Sequence, residues 1–63
     1  MWEIIGMRDD GYSTVLYSGP GFMGAKLTWD AYVAGSDYLT PQFDEVALFD
    51  PKDDVYDLID CRA

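Results

Sequence analysis

The sequence contains no histidine, and this absence removes a large part of enzyme chemistry. Without an imidazole there is no histidine-based catalytic triad, no general base of that type near neutral pH and no mixed Cys/His metal site. Cysteine is nearly absent as well, because the single Cys61 cannot form an intramolecular disulfide. We therefore expect a non-enzymatic protein without a metal or other cofactor. The lone thiol favours the cytoplasm, which is the host cytoplasm for a phage-encoded chain.

Basic residues and long apolar runs are also scarce. Only 4 Lys and Arg face 12 Asp and Glu in 63 residues, so the formal charge is −8 and the pI is about 4.1. Such a surface repels nucleic acid and anionic lipid, which argues against direct binding to either. No stretch approaches the roughly 20 apolar residues of a membrane-spanning helix.

Apolar residues, in contrast, are plentiful. They make up 49% of the chain and aromatic residues 16%, which is enough to build a core. At this length we expect a single domain, residues 1–63, that buries about 60% of the surface of its unfolded chain. Disulfides and structural zinc cannot stabilise it, so tight packing, a partner or self-association must do so.

The first segment is predicted to be a β-hairpin. Trp2 to Arg8 and Tyr12 to Ser18 are rich in β-branched and aromatic residues, and Asp10-Gly11 between them is typical of a two-residue type I′ turn. That turn pairs Met7 with Thr14, Ile5 with Leu16 and Ile4 with Tyr17. It places Trp2, Ile4, Val15 and Tyr17 on one face and Ile5, Met7 and Leu16 on the other. Both faces are more apolar than a one-sided sheet requires, so the second face is covered or is a contact surface.

The middle of the chain is predicted to be a loop followed by a helix. Gly19 to Gly24 is a loop by its Gly and Pro content, and a polar linker is predicted over residues 36–42. Between them, the helical spacing of apolar residues predicts a helix from Ala25 to Ala34 that ends at Gly35. Its buried face consists of Ala25, Trp29, Tyr32 and Val33.

The last third admits two interpretations. Glu45 to Phe49 is typical of a strand, and Asp50-Pro51-Lys52-Asp53 fits a turn into a second strand, Val55 to Cys61. The same residues fit a short helix with Asp50 as N-cap and Pro51 at its first position. We favour the strand, because Val, Tyr, Asp, Ile and Cys are poor helix formers. The predicted fold class is α+β: a ββαββ order in which one helix packs on a four-stranded, mostly antiparallel sheet.

Two sequence patterns resemble ligand-binding motifs, but the residues within and around them do not fit a binding site. Gly19 to Gly24 matches the dinucleotide pattern G-x-G-x-x-G, yet Pro20 removes an N–H donor and no parallel βαβ unit encloses a site. Four acids of the last third could offer oxygen ligands, but Lys52 takes the third place of the calcium-loop pattern and no Gly takes the sixth. We predict neither a nucleotide nor a metal site.

The acidic residues are concentrated in the last third, which alone carries −5 of the −8. Our leading hypothesis is a small acidic protein-binding module, an inhibitor or regulator, that docks this third on the basic surface of a larger protein such as a nucleic-acid-binding protein. In size and charge it resembles phage or mobile-element proteins that block host machinery, a viral class that includes anti-CRISPR proteins and nucleic-acid mimics. The residues predicted to carry the electrostatics are Asp44, Glu45, Asp53, Asp54, Asp57 and Asp60. Phe22 and Met23 are predicted to supply apolar anchors.

Two alternatives remain at this point. The acids could serve only to keep an aromatic-rich chain in solution and to protect its edge strands. Alternatively, the chain could be a structural or assembly domain that forms a homodimer or larger oligomer through the second apolar face of the first hairpin.

Overall fold

A computed structural model describes residues 1–35 and 42–61. The element order is β1 (Trp2–Met7), β2 (Ser13–Gly19), α1 (Phe22–Ala34), β3 (Glu45–Phe49) and β4 (Val55–Asp60). The strands form one antiparallel sheet in the order β2-β1-β3-β4, with α1 packed on it. The predicted ββαββ fold is confirmed, and the last segment is a strand rather than a helix. Most of the predicted polar linker, residues 36–42, lies outside the described residues.

The turn between β1 and β2 is longer than predicted. The Arg8 N–H donates to the Tyr12 carbonyl at 2.8 Å, and the Gly11 N–H donates to the Arg8 carbonyl at 3.1 Å. These two bonds define a three-residue loop, Asp9 to Gly11, in which Gly11 alone adopts positive φ, at 96°. The predicted type I′ turn is therefore wrong. A type I turn followed by a left-handed glycine uses the same Asp-Gly dipeptide but shifts the pairing by one residue.

A β-bulge at Leu16 compensates for that shift. Ile5 pairs with Val15 rather than Leu16, and the register then changes so that Ile4 pairs with Tyr17 as predicted. The extra residue exchanges the faces of two side chains. Leu16 packs against the core, whereas Val15, beside Ile5, lies on the opposite face and is 53% exposed. Val15 and Leu16 thus lie on the opposite faces to those predicted. The predicted pairing of Met7 with Thr14 is also wrong, because Met7 pairs with Ser13.

The turn between β3 and β4 repeats the hydrogen-bond pattern of the first. The Asp50 N–H donates to the Asp54 carbonyl at 2.9 Å, and the Asp53 N–H donates to the Asp50 carbonyl at 3.0 Å. Pro51 takes the second position of the turn, as predicted, and Asp53 adopts the left-handed conformation with φ of 65°. The Asp50 carboxylate accepts from the Lys52 and Asp54 N–H groups. This bonding resembles an N-cap, but here it closes a turn.

The helix begins one turn earlier than predicted, at Phe22, so the predicted loop is shorter. Gly21, in an extended conformation, is the N-cap residue, and the Gly35 N–H closes the other end by donating to the Ala31 carbonyl. Gly24 lies inside the helix despite its low helix propensity, because a Cβ there would come within 2.7 Å of the Tyr17 hydroxyl. The glycine thus lets the first helical turn approach the sheet.

The core lies between α1 and one face of the sheet. Ala25 and Trp29 of the helix are buried, and Tyr32 is partly buried, as predicted, whereas Val33 is exposed. The sheet contributes Ile4, Val46 and Leu48, which are fully buried. The residue positions just before β3 and just after β4 contribute Phe43 and Cys61. The buried core residues are Ile4, Ala25, Trp29, Phe43, Val46, Leu48 and Cys61.

Candidate functional site: the open sheet face and its acidic end

The second face of the sheet carries no helix within the described residues. Side chains alternate along a strand, and directly paired residues share a face. The register therefore defines which side chains lie on the face of the sheet that points away from α1. We call this surface the open face. Its members are Glu3, Ile5 and Met7 of β1, Ser13, Val15 and Ser18 of β2, Glu45, Ala47 and Phe49 of β3, and Val55, Leu58 and Asp60 of β4.

The apolar side chains of the open face reach solvent along its two edge strands, while Ala47 at its centre is fully buried. Val55 is 57% exposed and Leu58 47%, and both lie on an edge strand, while Val15 occupies the other edge. Strands about 4.8 Å apart and roughly five residues long give a footprint of about 19 by 17 Å, or roughly 300 Å². Glu3, Glu45 and Asp60 occupy part of that area, and the exposed apolar side chains within it are candidates for a contact surface.

Carboxylates gather at one end of the sheet, where β1 and β4 end and β3 begins. We call this group the acidic end; its members are Asp9, Asp10, Asp44, Glu45 and Asp60. Asp44 is hydrogen-bonded to three of the segments that meet here. The Asp9 N–H donates to Asp44 Oδ2 at 2.7 Å, and the Asp44 N–H donates to the Met7 carbonyl at 2.9 Å. The Cys61 N–H donates to the Asp44 carbonyl at 2.8 Å. The β1–β2 turn is thus tied to the start of β3 and the end of β4.

Two members of the acidic end lie on the open face. Glu45 is directly opposite Asp60 in the β3–β4 ladder, as the sequence predicted, and it also faces Met7 of β1. Two like charges directly opposite each other disfavour strand pairing by themselves. Glu3 adds a third carboxylate to the same face, across from Phe49. Acids therefore border the apolar side chains of the open face.

Asp57 has a structural role that the sequence did not reveal. Its Oδ2 accepts a hydrogen bond from the indole Nε1 of Trp29 at 3.0 Å, and its Oδ1 accepts from the Leu58 N–H at 2.8 Å. The indole of Trp29, only 1% exposed, belongs to the centre of the core. Asp57 therefore points to the helix side and links α1 to β4 instead of joining the acids of the open face.

The remaining predicted site residues lie elsewhere. Asp53 and Asp54 belong to the β3–β4 turn, at the other end of the sheet from Asp60 and about 20 Å away along β4. Phe22 and Met23 belong to the helix layer. Phe22 packs on Trp2 at 5.0 Å and on Tyr56 at 5.6 Å between ring centroids, while Met23 is 72% exposed. The structure therefore brings Asp44, Glu45 and Asp60 together and separates them from Asp53, Asp54, Phe22 and Met23.

Asp9 and Asp10, which belong to the acidic end, were missed by the sequence reasoning, as was the exposed pair Val55 and Leu58. The turn acids lie 34 or more residues before Asp44 in the sequence, and only the pairing of β1 with β3 brings them together. Alternation along β4 could have indicated Leu58 and Asp60 on one face, because they are two residues apart.

The Cys61 thiol is poorly suited to act as a nucleophile. Burial raises the pKa of the Cys61 thiol above its ordinary value, and the nearby carboxylates of Asp60 and Asp44 raise it further. A thiol with a raised pKa is a poor nucleophile at neutral pH. Among residues 1–35 and 42–61, no group of three or more His, Cys, Asp or Glu side chains is arranged to hold a metal ion.

The chain matches no known protein-family model, no curated protein and no solved structure. Over the same described ranges, no helix is long and apolar enough to cross a bilayer.

Proposed function

We propose that this chain is a non-enzymatic protein-binding module, an inhibitor or regulator, whose open face docks on a basic surface of a larger protein. The observation that carries the proposal is the placement of Glu45 and Asp60 beside the exposed Leu58, on a sheet face that no helix of residues 1–35 and 42–61 covers. Apolar contacts would supply affinity, and the acids would select a partner rich in Lys and Arg.

The size of the open face indicates how the two contributions combine. A footprint of roughly 300 Å² is well below the ~800 Å² that each partner buries in a standard complex. Apolar burial alone would therefore give weak binding, and charge attraction from the acidic end has to add to it. The total charge of −8 would also speed the encounter with a basic partner. A nucleic-acid-binding protein fits this description, and the proposed setting is the cytoplasm.

The test is capture of binding partners by the wild-type chain and by matched variants, at about 50 and 500 mM salt. We expect Leu58→Lys to reduce capture at least tenfold, since it places a cation among the exposed apolar side chains of the open face. Glu45→Gln with Asp60→Asn should reduce capture about fivefold at low salt and less at high salt, because salt screens the attraction that these variants remove.

The control variants alter exposed positions outside the open face. Leu27→Lys changes the outer surface of α1, where Leu27 is 69% exposed, and Asp53→Asn changes the far end of the sheet. Both should capture the same partners as the wild type. Equal loss with Leu27→Lys, or unchanged capture with Leu58→Lys, would show that the open face is not the docking surface.

The same exposed apolar side chains favour a second candidate, an assembly domain that forms homo-oligomers face to face. In that case Ile5→Lys and Leu58→Lys would abolish self-association, and salt would have little effect on it. Leu16, which the sequence placed on this face, packs against the core and is not a suitable position for the test.

A further inference from the structure

The two edge strands of the sheet differ in how they are protected. β4 carries Asp57 and Asp60, and its ladder with β3 ends in the bond from the Cys61 N–H to the Asp44 carbonyl. Bonded pairs alternate along an antiparallel ladder, so Leu58 turns its N–H toward the free edge. That N–H is already bonded to Asp57 Oδ1 at 2.8 Å. Charge and an occupied donor therefore blunt this edge.

The edge formed by β2 lacks these protections. Its sequence, Ser-Thr-Val-Leu-Tyr-Ser-Gly, contains neither a charged residue nor a proline. The Arg8 N–H bonds to the Tyr12 carbonyl, so the pairs Arg8–Tyr12 and Gly6–Thr14 are the bonded ones. Ser13 and Val15 consequently present their backbone N–H and C=O groups to the free edge. Such an edge is a template for an additional strand.

The distribution of charge indicates what can pair there. The 15 residues 11–25 form the longest stretch of the chain without a charged side chain. Two copies that each carry −8 repel one another over most of their surfaces. Along β4 they would oppose Asp57 and Asp60 to the same residues of the other copy, whereas along β2 they would oppose only neutral side chains.

We propose that β2 is a self-association site at which two copies of this chain pair antiparallel through Ser13 and Val15. A two-fold axis perpendicular to the sheet would join the two sheets into one of eight strands, with both open faces on the same side. This site is distinct from the proposed partner-binding face, and it brings two such faces into one continuous surface.

The fold does not depend on this pairing. The accessible surface of 4032 Å² is close to the ~4100 Å² expected of a compact monomer of 7.1 kDa. The bulge at Leu16 also interrupts the regular edge, which leaves a ladder of only about four residues per copy. We therefore expect a reversible dimer of folded monomers, with a dissociation constant in the range of about 10 µM to 1 mM.

The test is sedimentation equilibrium of the whole chain from about 10 µM to 1 mM, at 20 and 500 mM salt. The wild type should form a dimer whose population does not fall as salt rises, because salt screens the repulsion between the copies. Partner docking through the open face should weaken with salt, so the two proposals fail independently. A 7.1 kDa monomer at every concentration would overturn the inference.

Two variants separate edge pairing from face-to-face association. Val15→Pro removes the outward N–H donor but keeps the open face apolar, and proline is tolerated at such positions of edge strands. It should raise the dissociation constant at least tenfold. Leu58→Lys disrupts the open face on the far edge strand and should leave the dimer unchanged. A dimer that survives Val15→Pro, or that is lost only with Leu58→Lys, contradicts pairing through β2.

An experiment on the unmodified chain guards against misfolding of the proline variant. Amide hydrogen exchange of Ser13 and Val15 should slow as concentration rises, whereas exchange of Thr14, already bonded to Gly6, should not respond to dimerisation. Ser13→Pro provides a second variant at the start of the strand. Exchange rates of Ser13 and Val15 that are independent of concentration while a dimer forms would place the contact elsewhere.

Discussion

Replacement of Asp57 by alanine tests whether this carboxylate supports the fold rather than a binding surface. Asp57→Ala removes the acceptor of the Trp29 indole and the acceptor of the Leu58 N–H. A hydrogen bond to a charged group contributes about 1.5–3 kcal/mol, and an indole N–H left without a partner beside a buried ring adds a desolvation cost. The Leu58 N–H lies at an exposed edge and can bond to water instead. We therefore expect Asp57→Ala to lower the free energy of unfolding by about 2 kcal/mol.

The assay is thermal and urea unfolding followed by tryptophan fluorescence and circular dichroism. For a chain of this size, about 2 kcal/mol corresponds to a decrease in Tm of roughly 8–16 °C. Asp54→Ala is the matched control, because Asp54 is an exposed acid of the adjacent turn, and its replacement should shift Tm by no more than about 3 °C. Asp57→Asn should fall between the two, since an amide oxygen still accepts a hydrogen bond.

A double-mutant cycle isolates the bond itself. In a Trp29→Phe background the indole donor is absent, so Asp57→Ala should cost about 1 kcal/mol less than in the wild type. If Asp57→Ala costs no more than Asp54→Ala, or if the cycle shows no coupling, the structural role assigned to Asp57 is wrong. Asp57 would then have to be counted with the acids that face a partner.

Three further predictions concern single positions. Gly6→Ala should lower the free energy of unfolding by about 2 kcal/mol in urea titration, because a Cβ there would meet the buried Phe43 ring at 2.6 Å. Restored stability in the double variant with Phe43→Leu would confirm the clash. An unchanged urea midpoint for Gly6→Ala would refute it. Asp53→Gly should raise Tm by about 2–4 °C, since glycine adopts φ of 65° without strain; a lower Tm would contradict this explanation. Because burial raises the pKa of Cys61, its contribution to stability is present at neutral pH and is lost as pH rises through the folded-state value. Alkylation of Cys61 at pH 8 should therefore be slow, and it should become fast in about 6 M urea; fast alkylation of the folded chain would argue against a buried thiol.

The sequence predicted the elements of the sheet well because their signals are local. Alternating apolar residues define the strands, and Asp-Gly and Asp-Pro mark the two turns. The length of the first turn could not be predicted, since Asp10-Gly11 suits both a two-residue and a three-residue loop. The bulge at Leu16 could not be predicted either, because it compensates for the longer turn.

The candidate site was harder to predict because it depends on strand order. Concentration of acids in the last third of the sequence indicated one acidic surface, but β4 carries Asp60 to one end of the sheet and begins beside Asp54 at the other. The acidic end forms only because β3 pairs with β1, which brings Asp9 to Asp44. No local pattern in the sequence specifies that pairing.

The position of β1 in the sheet has a consequence for how the chain folds. Each hairpin joins neighbouring residues and can close within about 1–10 µs, whereas β1 must pair with a strand more than 35 residues further along, as in Glu3 with Phe49. Loop closure over that distance carries an entropic cost before any contact between the two hairpins offsets it. The junction of β1 and β3 is therefore expected to limit the folding rate. During synthesis β1 therefore remains without one of its two neighbours until β3 follows.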